Sequence, residues 1–105
     1  NGPMTVLGFD PGTATTGFGV VRYENDRLTP VDVGVLLTPS TMPIEERLLS
    51  IYTDVNTLLD RYAPDTVATE RLFFDKNVTN ALSVGRAIGV ILLAVAQRRL
   101  PWMEY

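Results

Sequence analysis

Two carboxylates in this 105-residue sequence are placed where they could do chemistry: Asp10 and Glu70. Asp10 ends the apolar run Val6-Leu7-Gly8-Phe9 and is followed by Pro11-Gly12. Pro pre-sets φ for a turn and Gly accepts φ > 0, so the chain reverses there and a second apolar run leads away from Phe18. A carboxylate at the end of a core strand, beside a Gly/Thr-rich turn, is held at the rim of a sheet and suits a hard cation such as Mg2+. Asp also caps such turns without binding anything, and the stretch alone leaves both readings open. Glu70 ends a second short apolar stretch, Thr66-Val67-Ala68-Thr69. If that strand lies beside the first, the two carboxylates share one sheet end, repel each other and favour a cation between them. The alternative is that Glu70 is a solvated strand end.

The elements that must position this pair follow from periodicity. Strands are expected over residues 5–10, 17–23 and 28–37, joined by a turn at Asn25-Asp26 and paired as an antiparallel meander. Pro30 and Gly34 predict that the third strand is an edge or carries a bulge. Over residues 43–62, apolar side chains recur every three or four positions, which predicts a surface helix stopped by Pro64. Its polar face, Arg47 included, is assigned no chemistry. Residues 65–70 form a fourth strand, parallel to the first by a crossover. A second helix runs over 77–98. Its half from Ile88 to Ala96 is apolar all round, and these nine residues are too few to span a membrane. The helix must therefore be covered on more than one side. Ala81, Gly85 and Gly89 form a stripe of small residues four apart, suited to close approach of a partner helix or of the first helix. Arg98 and Arg99 fit the negative helix end. Residues 100–105 begin a fifth strand.

Composition narrows the chemistry. Without cysteine or histidine, the sequence offers no thiolate or imidazole metal site, no Ser-His-Asp triad and no His general base. Carboxylates remain. The net charge is −3, which alone argues against nucleic acid. The charge is uneven: residues 1–70 carry four arginines against ten acids, whereas 71–99 carry five basic residues against Asp75 alone. Within that basic segment, Arg71-Leu72-Phe73-Phe74-Asp75-Lys76-Asn77 sets two adjacent aromatics among cations. Adjacent side chains on extended backbone point opposite ways, so one Phe can pack while the other stacks on or wedges between bases. Asn1-Gly2-Pro3 ahead of Met4 reads as an expression scar, and with no signal peptide a cytoplasmic location is expected.

Taken together, Asp10-Pro11-Gly12, Thr16-Gly17-Phe18-Gly19-Val20, Glu70-Arg71-Leu72-Phe73-Phe74, Lys76-Asn77 and Ala81 to Val90 resemble the RuvC family of Holliday-junction resolvases, from Met4 to Tyr105. The resemblance implies an α/β, RNase H-like fold: a five-stranded mixed sheet of order 3-2-1-4-5 with flanking helices. It implies a homodimer that cuts four-way junction DNA in recombination and repair with two Mg2+ or Mn2+ ions, in company with a branch-migration helicase. Asp10 and Glu70 match two of the family's four catalytic, metal-binding acids, and the other two come from a C-terminal helix that this span does not include. Residues 4–105 are then one nuclease domain, truncated at its C-terminus and inactive by itself. Phe73 matches the aromatic that inserts at the junction, with Phe74, Arg71, Lys76 and Asn77 around it on DNA. The helix of Ala81, Gly85 and Gly89 matches the dimer helix. Two other classes share features with the sequence: actin-like ATPases and sugar kinases, which would hold phosphate at Gly12–Thr16, and a non-catalytic module that binds branched DNA or only dimerises.

Overall fold

The computed structural model describes residues 2–39, 41–70 and 78–105. Three strands open the chain: β1 (Met4–Pro11), β2 (Thr15–Glu24) and β3 (Arg27–Leu37). They pair antiparallel as the meander expected. The β2–β3 hairpin turns through Asn25 and Asp26, at φ 53° and 62°. Two consecutive left-handed residues match the right-handed twist of the flanking strands, and Asn and Asp tolerate that conformation best after Gly. β3 is both an edge and bulged: the register slips between Val20 and Val21, whose partners are Asp32 and Pro30. Pro30 has no N–H to give to a ladder, and an edge bulge is where that loss costs least. Gly34 lets the Phe18 ring lie close, because a Cβ there would be 2.6 Å from the far end of that ring and would push it aside.

Helix α1 (Ile44–Tyr62) follows, then β4 (Thr66–Thr69), α2 (Val78–Gln97) and β5 (Trp102–Glu104). Glu45 and Glu46 sit in the first turn of α1, where its dipole favours them. The helix ends at Ala63 in the left-handed conformation, with Pro64 preventing continuation. β4 and β5 join parallel, giving the order β3-β2-β1-β4-β5 predicted from the family resemblance. Both helices cover one face of this sheet. Leu7 and Phe9 of β1, Val20 of β2 and Val67 of β4 meet Ile51, Val55 and Leu59 of α1 and Ala87, Ile91, Ala94 and Val95 of α2. Each of these side chains contributes roughly 1.5–3 kcal/mol through burial, the alanines less.

One expectation is corrected, and two others gain detail. An 18-residue window of α2, Asn80–Gln97, has mean hydropathy 1.5 and is long and apolar enough to cross a membrane, so the nine-residue count understated it. The small and weakly polar residues of its first half extend the apolar stretch despite Arg86, while one face packs on the sheet and α1. Arg98 sits just past the end of α2, as expected, and is also paired there. Its guanidinium donates to Asn56 Oδ1 at 2.9 and 3.1 Å and pairs with Asp60 at 2.7 Å, tying the end of α2 to α1. Finally, the small stripe does not pack on α1 at Gly89: that residue is exposed, and a Cβ there would meet nothing within 4 Å. Leu82 and Leu93, each 53% exposed, lie along the same outer side.

Candidate active site

β1 and β4 are adjacent and parallel, with Phe9 opposite Thr69 and the Glu70 N–H donating to Phe9 O at 3.2 Å. Asp10 and Glu70 are therefore the next residues out on neighbouring strands. Side chains alternate along a strand, so while Phe9 and Thr69 point into the helix-covered core, Asp10 and Glu70 point to the opposite, open face. The sequence could give the two strand ends. That they share a face is a consequence of the register.

The two carboxyl groups lie close enough to share a hydrogen bond. Glu70 titrates above the usual carboxylate range, first through a hydrogen bond shared with Asp10, then through the negative charge of Asp10, and then through partial burial. Two carboxylates so placed hold a proton or a cation between them. The turn beyond them is fixed by backbone: Gly12 N–H donates to Thr15 O at 2.6 Å, and Thr38 N–H to Ala14 O at 2.9 Å. Gly17, opposite Asp10 on β2, leaves room beside it, since a Cβ there would lie 3.9 Å from the Asp10 Cβ.

Tyr105 completes the row, and sequence reasoning missed it. Glu104 pairs with Thr69, and the Tyr105 N–H donates to Thr69 O at 3.1 Å, which sets Tyr105 beside Glu70. Burial and the charges of Asp10 and Glu70 push its phenol above the usual range. The signal was the same alternation: Trp102 donates its indole N–H to the core residue Thr69 at 2.9 Å, so Met103 and Tyr105 share the face of Asp10. By that count Glu104 lies on the other face and not at the site. Asp10 and Tyr105 line an open groove of about 760 Å3 whose floor is the uncovered sheet, with Val6, Val21, Val33 and Ala68.

Of the remaining candidates, Ala81, Gly85 and Gly89 lie on α2 and not at this site. Arg71, Phe73, Phe74, Lys76 and Asn77 lie outside the described residues. Among the described residues, no three acidic side chains converge to hold a metal ion. The residues fit part of a divalent-cation site: an all-oxygen pair whose mutual repulsion a cation would relieve.

Comparison with known proteins gives the family. The model of the family described as crossover junction endodeoxyribonuclease RuvC matches residues 6–105. The crossover junction endodeoxyribonuclease RuvC of Chloroflexus aurantiacus is 53% identical over 102 residues, covering 97% of this chain and 62% of its own length. This chain thus spans less than two thirds of the curated relatives it matches. T. thermophilus RuvC, solved in complex with a Holliday junction substrate, superimposes with a TM-score of 0.87 at 32% identity, covering 97% of this chain and 64% of that one. The Fowlpox virus resolvase, solved with substrate Holliday junction DNA, superimposes at 0.65 with 18% identity, a likeness of fold alone. The mixed sheet, the paired strand-end carboxylates and a match over nearly every residue agree: the chain belongs to the RuvC family of crossover junction endodeoxyribonucleases.

Proposed function

We propose that residues 4–105 serve as the nuclease domain of an endonuclease that resolves four-way DNA junctions by metal-dependent phosphodiester hydrolysis, in recombination and repair in the cytoplasm. The observation that carries this reading is the Asp10–Glu70 contact at the ends of β1 and β4, in a chain of this family. The two carboxylates would hold divalent cations, Mg2+ or Mn2+, and two ligands alone bind such ions weakly because Mg2+ keeps its waters unless several oxygens converge. The family's other two acids would come from the part of the longer relatives that this span does not align to, packed over the open sheet face. When bound, such ions supply Lewis-acid activation of the attacking water and neutralise charge on the leaving oxygen.

The chain's own residues position the reaction. Asp10 and Glu70 orient toward the groove, rigid because both strands are core strands. Gly17 keeps the space beside Asp10 clear. The Phe73 ring, following Glu70 by three residues, would stack at the branch point, with Phe74, Arg71, Lys76 and Asn77 holding adjacent backbone, as the resemblance implies. Stacking is worth about 1–3 kcal/mol and requires no base sequence. A homodimer would form through the outer side of α2 at Ala81, Gly85 and Gly89, which the exposure of Gly89, Leu82 and Leu93 supports. Two symmetric sites suit two opposed strands of a junction. A branch-migration helicase is the expected further partner.

The test is a chimera in which this span replaces the matching part of the C. aurantiacus relative. It should cut a four-way junction in Mg2+ and leave matched linear duplex intact. The 105-residue chain alone should cut neither DNA. Turnover by that chain alone, or equal cutting of duplex and junction by the chimera, would overturn the reading.

A further inference from the structure

Behind the turn that carries Asp10, on the helix side, lies a second cavity of about 510 Å3. Thr13 lines it from the turn, Met42 and Arg47 from the start of α1, and Asn80, Ser83 and Arg86 from α2. The α2 residues are three apart and present one side of the helix. Apart from Met42 and Ile44, which also lines it, these are hydrogen-bonding or cationic groups, and among the described residues no acid lines the cavity.

The arginines are the informative part. Arg47, half-buried, donates one terminal N–H to Thr13 O, which fixes the guanidinium against the turn. Ser83 Oγ approaches the same carbonyl at 3.4 Å. Arg47 Nε, however, is buried with no hydrogen-bond partner. A buried, unpaired N–H on a permanent cation is costly, which points to an acceptor absent from the protein itself. Arg86 is exposed at the mouth. Glu45 and Glu46 lie on the first turn of α1, yet among the described residues neither arginine pairs with a carboxylate. Two unneutralised guanidinium groups and a hydroxyl around one concave space form a phosphate site, because the planar fork of Arg matches a tetrahedral oxyanion.

We propose that this cavity binds a phosphate group through Arg47, Arg86 and Ser83, and that the group is a backbone phosphodiester of the DNA strand crossing the Asp10 turn. Thr13 is three residues from Asp10, at most about 11 Å along the chain, so the subsite holds a phosphate near the one facing the carboxylates. The identity of the strand rests on the proposed function, and the phosphate chemistry does not.

The experiment uses the 105-residue chain with a fluorescein-labelled four-way junction, a matched linear duplex and inorganic phosphate. Anisotropy titrations over a range of salt give the slope of log K against log salt. Arg86→Gln should weaken binding to both DNAs several-fold and reduce the slope by about 1, the loss of one phosphate contact. Arg99→Gln removes the same charge at the far end of α2 and should leave the slope unchanged. Amide resonances of Thr13, Ser83 and Arg86 should shift with DNA, and Ser83→Ala should diminish those shifts in a protein that melts normally. An unchanged slope in Arg86→Gln, or an equal loss in Arg99→Gln, overturns the proposal. Shifts with inorganic phosphate and none with either DNA would assign the cavity to a free phosphate and overturn the backbone assignment. No shift with any probe overturns the site altogether. Equal affinity for junction and duplex, with the slope change present, would count against the junction reading while the phosphate subsite stands.

Discussion

Replacing Gly89 by Leu separates the two faces of α2 by opposite signs. Gly89 lies in the interior of a 20-residue helix, is exposed, and has open space where a Cβ would project. Gly costs about 0.8–1.0 kcal/mol relative to Ala in a helix interior, and Leu is close to Ala. Leu93, one turn on and 53% exposed, adds a further contact of about 0.2–0.5 kcal/mol. The isolated fold should therefore gain roughly 1 kcal/mol, which raises Tm by about 4–8 °C in a domain of this size. Association should move the other way. If the Gly85/Gly89 stripe packs on the same helix of a second copy, the added side chain overfills that contact at about 1–3 kcal/mol, and two-fold symmetry enters it twice. At 1.4 kcal/mol per tenfold, the dimer dissociation constant should rise at least about 25-fold. Sedimentation velocity over a concentration series, with thermal melting of the dilute monomer, reads both. A variant that melts below the parent as a monomer would mean that the stripe is packed within the chain. A parent that stays monomeric, or a variant that dimerises as well as the parent, would refute the interface.

Two further predictions concern pH. Glu70 titrates high because of Asp10, so its contribution to stability is full below the ordinary carboxylate range and is lost as pH rises through its raised value. At neutral pH and without metal the pair repels, and Glu70→Gln should melt higher than the parent at pH 7 while losing that advantage in acid; a lower Tm at pH 7 would show that the charged pair stabilises the fold. Asp32 is held low by hydrogen bonds from the Tyr62 hydroxyl and from the Val33 N–H at 2.8 Å. Its contribution is present above the ordinary Asp value and is lost as pH falls through the lowered one, so Tyr62→Phe should flatten the acid limb of the stability curve. An unchanged acid limb would contradict the pairing.

The strands and both helices were legible because each rests on a local signal: alternation, three-and-four spacing, Pro30 at an edge, Pro64 after a helix; the full strand order came from the family resemblance. The carboxylate pair was half legible. The ends of β1 and β4 could be read from the sequence, but the contact depends on the register Phe9 opposite Thr69, which no local pattern encodes. Tyr105 was hidden for the same reason, since its place depends on a third strand in parallel register. Arg47 was read as a member of a solvated helix face because periodicity reports which side of a helix a residue occupies, and not that a turn 34 positions earlier folds back against it. Arg98 was read only as suiting the negative helix end, and its bonds to Asn56 and Asp60 across the helix pair could not be read from spacing.

The central claim is that Asp10 and Glu70 act on the phosphodiester rather than on the fold. Its most direct test is junction cleavage and junction binding measured side by side for Asp10→Asn and Glu70→Gln in the chimera with the C. aurantiacus relative. Cleavage in Mg2+ should fall below detection for both variants, while affinity for the four-way junction and Tm stay at or above those of the parent. Cleavage that survives either substitution, or binding and Tm that fall in step with it, would contradict the assignment.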